Sequence, residues 1–320
     1  MKKKLNILHI VLVLLGTNLY AQTEKSTEGN VNNLPVREHT ITLREATVNK
    51  AGKNVKGITV NGTIPGPTLE FKEGEYAVIY VKNEMTVETS VHWHGLLLPS
   101  FYDGVPYLTT PPIEPGQSGV YGSIVIQPKE KTLDYDKELV LMLSDWTDEN
   151  PMNVLKNLKR GNEWYGIRKG TSTPLNKVIA RGAFGAQLKF WKQRMEGADI
   201  ADVYYPAFLI NGEESIEYPE FKAGEKVRLR IIDGGASTSF WMTFGGGDPL
   251  LVSADGLDVV PVKKNKTFIA IAEAYDYIIT IPEDGKIEFK ITAQDGSGTA
   301  SAFIGNGKIL KAKDIPKPDK

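Results

Sequence analysis

The feature that most constrains this chain is a repeat. Asn61-Gly62 is followed ten positions later by Phe71-Lys72-Glu73-Gly74-Glu75 and an apolar run. Asn211-Gly212 is followed at the same distance by Phe221-Lys222-Ala223-Gly224-Glu225 and another apolar run. The copies lie 150 residues apart. That period is far beyond the roughly 20–50 residues of a solenoid unit, so it marks a duplicated domain. Val78-Ile79-Tyr80-Val81, Val227-Arg228-Leu229-Arg230-Ile231 and Tyr277-Ile278-Ile279-Thr280-Ile281 are rich in β-branched and aromatic residues, with Gly, Pro, Asn and Asp between them. These are strand and turn signals. The expected fold class is all-β: two tandem Greek-key β-sandwiches. One segment reads as helix, with Leu188, Trp191 and Met195 at spacings of three and four and an end near Gly197.

With 320 residues the chain has room for about two domains. Residues 1–21 read as a secretory signal peptide: Lys2, Lys3 and Lys4, an apolar run from Leu5 to Leu15, and Ala21 as the cleavage site. The run is too short to span a bilayer. Residues 22–36 are a polar leader, 37–130 the first domain, 131–311 the second, and 312–320 a linker-like or frayed tail. The signal implies a periplasmic or secreted protein. The net charge of −1 points to neither nucleic acid nor a membrane surface as partner. The absence of cysteine excludes disulfides and thiolate metal ligands together.

Metal-binding side chains concentrate at His92-Trp93-His94-Gly95. If this segment is a strand, His92 and His94 project from one face with Trp93 behind them. The second copy runs Ser239-Phe240-Trp241-Met242-Thr243-Phe244 where the first has Ser90-Val91-His92-Trp93-His94. Aromatic and apolar character survives there without histidine, so the fold does not need it and the pair points to chemistry. Imidazole suits copper and zinc. A structural zinc site takes four protein ligands and a catalytic one three. Here His39 lies far away, and Asp103 or Glu114 offers oxygen. A closed site from this chain alone is therefore not expected. The alternative is a pair of histidines held by backbone hydrogen bonds at a sandwich edge. Asp103 has its own plain reading, a turn residue before Gly104.

From Asn61 onward the sequence resembles the N-terminal part of a multicopper oxidase of the bacterial copper-resistance type. The resemblance rests on Asn61-Gly62-Thr63-Ile64-Pro65-Gly66-Pro67-Thr68, Val91-His92-Trp93-His94-Gly95, Asp103-Gly104-Val105-Pro106 and Ile113-Glu114-Pro115-Gly116. Leu143-Ser144-Asp145-Trp146 is similar to the opening of the family's second domain, and Ala254-Asp255-Gly256 with Ala272-Glu273-Ala274-Tyr275-Asp276 to its close. As a set, over most of the mature chain, these motifs are specific. The resemblance implies cupredoxin-like sandwiches and copper as cofactor. It implies His92 as a ligand of the type 2 copper, His94 as a ligand of one type 3 copper, and Asp103 as a proton donor beside the cluster.

Three departures from the family accompany the match. After Gly116 the chain passes straight to Gln117-Ser118-Gly119-Val120-Tyr121-Gly122, where the family carries two strands and a second histidine motif. The sequence stops near the close of the second domain, so a third domain is absent from it. It has no cysteine for a type 1 copper. These departures imply an incomplete first sandwich, a partial copper site, and no competent oxidase from this chain alone. Three readings follow. The first is an oxidoreductase-family copper-resistance protein, either a truncated product or one half of a split oxidase completed by a separate chain that carries the missing cupredoxin domain. The second is a non-enzymatic periplasmic copper-binding protein. The third is a metal-free β-sandwich interaction module with Trp93, Phe101, Tyr102 and Tyr107 on its surface.

Overall fold

Alternating apolar and polar residues in the first copy build a small sheet. The structure is a computed structural model and describes residues 34–94, 96, 103–108, 112–115, 124–127, 130, 132–160, 163–193 and 203–317. Strands β1 (Val36–Lys50) and β2 (Lys53–Val60) pair antiparallel. The hairpin loop between them places Ala51 and Gly52 at φ 49° and 72°, the left-handed pair that a two-residue turn needs. β3 (Leu69–Lys72) pairs parallel with β5 (Ile124–Gln127), and β4 (Tyr76–Asn83) pairs parallel with β1. Ile41 and Leu43 alternate inward along β1 and meet Val60, Leu69, Phe71 and Met85 in a core of six buried residues.

The second copy is larger. One six-stranded sheet contains β6 (Lys137–Trp146), β7 (Ala207–Ile210), β9 (Lys226–Asp233), β11 (Leu250–Ala254), β12 (Leu257–Lys263) and β14 (Ala274–Thr280), in the order β12-β11-β14-β9-β6-β7. The other contains β8 (Ser215–Tyr218), β10 (Phe240–Phe244), β13 (Thr267–Ile269), β15 (Gly285–Ala293), β16 (Thr299–Asn306) and β17 (Ile309–Leu310). Between them lies a cluster of twenty-two buried residues that includes Phe240, Tyr277 and Phe289. Each large apolar side chain buried there contributes about 1.5–3 kcal/mol. Two arginines close one edge. Arg228 Nε donates to Asp276 Oδ2 at 2.7 Å, and Arg230 reaches both Asp276 (3.3 Å) and Glu138 (3.0 Å).

The repeat holds at atomic detail. Asn61 Oδ1 accepts from Thr42 N (2.7 Å) while its amide donates to Thr40 O (3.1 Å). Asn211 does the same with Met142 N and Val140 O, at 2.8 Å each. Gly62 and Gly212 share φ 86°. Phe71 and Phe221 are both buried. Glu75 and Glu225 each accept the backbone N–H two residues into their turn, from Lys72 and Lys222 at 2.8 Å. Those bonds, aided by Arg37 and Lys137, hold both carboxyls below the usual range. The expected duplication of cupredoxin-like sandwiches therefore stands.

The spacing changes in one place. Leu43 pairs with Val60, and Leu143 pairs with Ile210. The offset is 100 residues on the first strand and 150 on the second, so the second copy holds 50 extra residues between β6 and β7. They carry α1 (Pro151–Arg160), α2 (Trp164–Lys169), α3 (Leu175–Ala180) and α4 (Phe184–Gln193). The sequence predicted one helix; among the described residues there are four, of which α4 holds Leu188 and Trp191. The short ones lack the length that periodicity needs to register. Met195 and Gly197 lie outside the described residues, as do the signal peptide and most of the leader. The tail differs from the frayed end expected. As far as Lys317 it lies on the second sandwich: Ala312 N donates to Glu288 Oε2 at 2.9 Å, Thr243 Oγ1 to Lys313 O at 2.9 Å, and Lys290 pairs with Asp314.

Candidate metal centre

Residues 91–93 are not a strand, and His94 lies in a turn. This corrects the strand expected there. The alternation nonetheless survives. Val91 and Trp93 pack against the first core, and His92 and His94 are exposed between them. Their rings stand 5.5 Å apart, centroid to centroid, at 75°. In the second copy the matching residues form β10, paired with both β13 and β15. Among the described residues the first copy offers no such neighbours, so its segment is held from one side by a loop.

That loop is Asp103-Gly104-Val105. His92 Nδ1 lies 2.6 Å from the backbone oxygen of Asp103, which also accepts from Trp93 N at 3.4 Å. A carbonyl only accepts, so Nδ1 carries a proton, which in the neutral ring leaves the lone pair on Nε2. Gly104 makes the contact achievable: it sits at φ 81°, and a Cβ there would fall 1.7 Å from Val91 O. The turn reading of Asp103-Gly104 thus holds, and it has a function, because the turn fixes the tautomer of His92. The Asp103 carboxylate itself lies 3.6 Å from His92 Nδ1. The structure therefore places Asp103 against His92, with its backbone making the closer contact.

His39 is not drawn in. Its Nε2 lies 3.3 Å from Glu70 O and its ring packs on Phe71. Glu114 is exposed. Among the described residues no group of three or more His, Asp or Glu side chains could hold a metal.

Both histidines open onto a cavity of about 1230 Å³ between the two sandwiches. The first copy lines it with residues of its own core, Ile41, Leu43, Val60 and Leu69; the second lines it with Asp145, Asp233 and Glu273. Asp145 is saturated, accepting from Ala236, Ser237 and Thr238 N at 3.0–3.1 Å. Asp233 is not. It is 1% exposed, its Oδ1 accepts from Gly235 N at 2.9 Å, and its Oδ2 has no partner. Burial, with the nearby Asp145 and Glu273 charges, pushes its carboxyl up to about 8, so it keeps its proton at neutral pH. The repeat explains the geometry. Leu143 pairs with Asp233 as Leu43 pairs with Asn83. Asn83 Oδ1 likewise accepts two residues on, from Met85 N, while its amide donates to Ile113 O at 2.8 Å. A protonated Asp233 presents a donor where Asn83 presents its amide. Sequence reasoning missed Asp233; the signal available was the Asp233-Gly234-Gly235 turn closing an apolar strand.

The fold, two repeated sandwiches with a histidine pair facing the space between them, agrees with three comparisons. Residues 42–139 and 137–308 match two sequence profiles described as multicopper oxidase. The chain belongs to the multicopper oxidase family. It is 37% identical to Copper resistance protein A of Escherichia coli over 310 residues, covering 86% of this chain and 51% of that protein. It is 35% identical to a Copper resistance protein A homolog of Pseudomonas syringae pv. tomato, covering 90% and 54%. The chain thus spans about half the length of the curated relatives it matches. The fold is similar to that of the multicopper oxidase Fet3p (TM-score 0.63, 18% identity, 89% of this chain and 55% of that one). It is also similar to a Botrytis aclada laccase (TM-score 0.63, 21% identity, 91% and 56%).

Copper is the cofactor this family implies, and the donor set fits it in part. Two imidazoles face one cavity, and the one whose tautomer is fixed exposes the nitrogen a metal needs.

Proposed function

We propose that this chain is a periplasmic or secreted copper-resistance protein in which His92 and His94 ligate copper. The observation that carries the reading is the 2.6 Å contact from His92 Nδ1 to the Asp103 carbonyl. It is the orienting bond that metal-bound histidines almost always make. The location draws on the signal-like N-terminus. Bound copper would supply one-electron redox chemistry. The chain's own residues would do the rest: His92 and His94 hold the metal, the Asp103 turn orients the first ring, and the Asp103 side chain, 3.6 Å from His92 Nδ1, stands where the proton donor of the family resemblance would be. Domain boundaries at 37–130 and 131–311, with a partial first sandwich, belong to the same proposal.

With no cysteine and one histidine pair, these 320 residues would lack the ligands for the four-electron reduction of dioxygen on their own. The remaining ligands would come from outside them, a separate cupredoxin chain being one source. The two-ligand count favours a second reading, a non-enzymatic copper-binding protein. Copper titration followed by paramagnetic resonance tests the site. Nitrogen coordination should appear in the native protein and vanish in His92→Ala and His94→Ala; binding unchanged in both would refute it. Sustained dioxygen consumption by the isolated chain would overturn the claim of incompetence.

A further inference from the structure

The 50 residues that the second copy adds between β6 and β7 are unlike the rest of the chain. Residues 151–193 carry nine basic side chains and a single acidic one, Glu163, a local charge of +8. Against the chain's net −1 the remainder carries −9. Acidic residues resume only outside the helices, at Asp148, Glu149 and Glu196. Even Glu163 is engaged, by Trp191 Nε1 at 2.8 Å. Lys169 lies 3.9 Å from Asp295. Among the described residues no ion pair engages Lys156, Lys159, Lys177, Lys189 or Lys192.

The same segment holds ten of the twenty-four exposed large apolar side chains. They fall in helical stripes. Leu155 and Leu158 share one face of α1, a helix with no buried residue, beside the half-buried Val154. Phe184, Leu188 and Trp191 share one face of α4, and all three are exposed. Stripes at this spacing are ordinarily buried against a core; here they are not. The first copy joins the matching strands with a two-residue loop, so the sandwich does not need the helices to close.

We infer that this helical insertion is a docking surface for an anionic lipid bilayer. Two observations choose lipid over a protein partner. The cations are interleaved with the apolar groups, as in Lys189-Phe190-Trp191-Lys192, whereas the core of a protein interface is depleted of lysine. Short helices with Trp, Phe and Leu on one face and Lys and Arg beside it suit the headgroup boundary, where lysine stems lie along apolar surface and their ammonium groups meet lipid phosphates. Among the described residues no helix is long and apolar enough to cross a membrane, so the contact inferred for the insertion is with the surface of the bilayer.

The test uses the full chain and vesicles of phosphatidylcholine with and without phosphatidylglycerol. Co-sedimentation should require the anionic lipid and weaken at about 0.5 M salt. Each of Lys156→Gln, Lys159→Gln, Lys189→Gln and Lys192→Gln should lower partitioning about five-fold. Native tryptophan fluorescence should shift to the blue on vesicles and be quenched by brominated acyl chains, and both effects should be lost in W164F/W191F. All these side chains are exposed, and unchanged thermal melts would show that the variants fold; the quenching of the native chain needs no variant at all. Equal binding to neutral vesicles, no binding at low salt, or binding without quenching would overturn the inference. So would self-association that Phe190→Asp dissolves in a chain that ignores vesicles.

Discussion

The two sandwiches share their construction and differ in what it supports. Both hang a strand pair on an Asn-Gly corner with the same four hydrogen-bonding groups, and both tie off the next turn with a glutamate. Among the described residues the first gathers six buried apolar residues and the second twenty-two. The histidines stand in the smaller half. Scaffold residues thus occur in both copies, while the histidine pair proposed to hold copper occurs in one. The better-packed half contributes the acidic wall that faces them.

The largest test of this contrast is paired truncation of the duplicated phenylalanine. Phe221→Ala should cost about 3–5 kcal/mol in urea unfolding. Phe71→Ala should cost clearly less, because its cluster is small and opens on the cavity; equal losses would break the comparison. Next, Asp276→Ala should cost about 3–5 kcal/mol by leaving Arg228 without its buried counter-charge, while Arg230 keeps Glu138. No first-copy carboxylate should match it. Amide hydrogen exchange gives a mutation-free version: β9 and β14 should be protected more strongly than β1 and β4, and equal protection would count against an incomplete first domain.

A subtler effect concerns Asp233 against its counterpart Asn83. Its folded pKa lies above the ordinary 3.8, at about 8. The folded state therefore holds the extra proton between those values, and stability falls as pH rises through that window. Asp233→Asn should flatten this slope and make the protein more stable at pH 8 than the native chain. An unchanged pH profile would refute the buried, protonated carboxyl. The smallest expected change is Asp103→Asn. The backbone carbonyl orients His92, so copper affinity should drop by less than about ten-fold, while Gly104→Ala, which displaces that carbonyl, should exceed it.

Much of this was legible in the sequence, for reasons that particular residues make plain. Asn61-Gly62 and Asn211-Gly212 announce the duplication because few residue types tolerate φ near 50° followed by φ near 86°. The histidine pair was visible, and its separation from Trp93 was anticipated, yet its strand was not formed. Strand propensity is realised only where neighbours pair, and β10 has them where, among the described residues, 91–94 do not. Asp233 was invisible because its meaning lies in what surrounds it. The basic insertion was hidden by averaging, since a net −1 cancels +8 against −9.

The Ala51-Gly52 loop has a consequence of its own. It shows that this sandwich can be built with the loop of its first hairpin reduced to two residues, while the other copy carries 50 more at the matching position. Loop-closure entropy grows only with the logarithm of length, so the fold tolerates both at similar cost. The hairpin is therefore a socket. Its cargo can be removed from one copy, or grafted onto the other, without rewriting a single strand pairing, which makes the pair of domains a ready-made platform for exchanging parts.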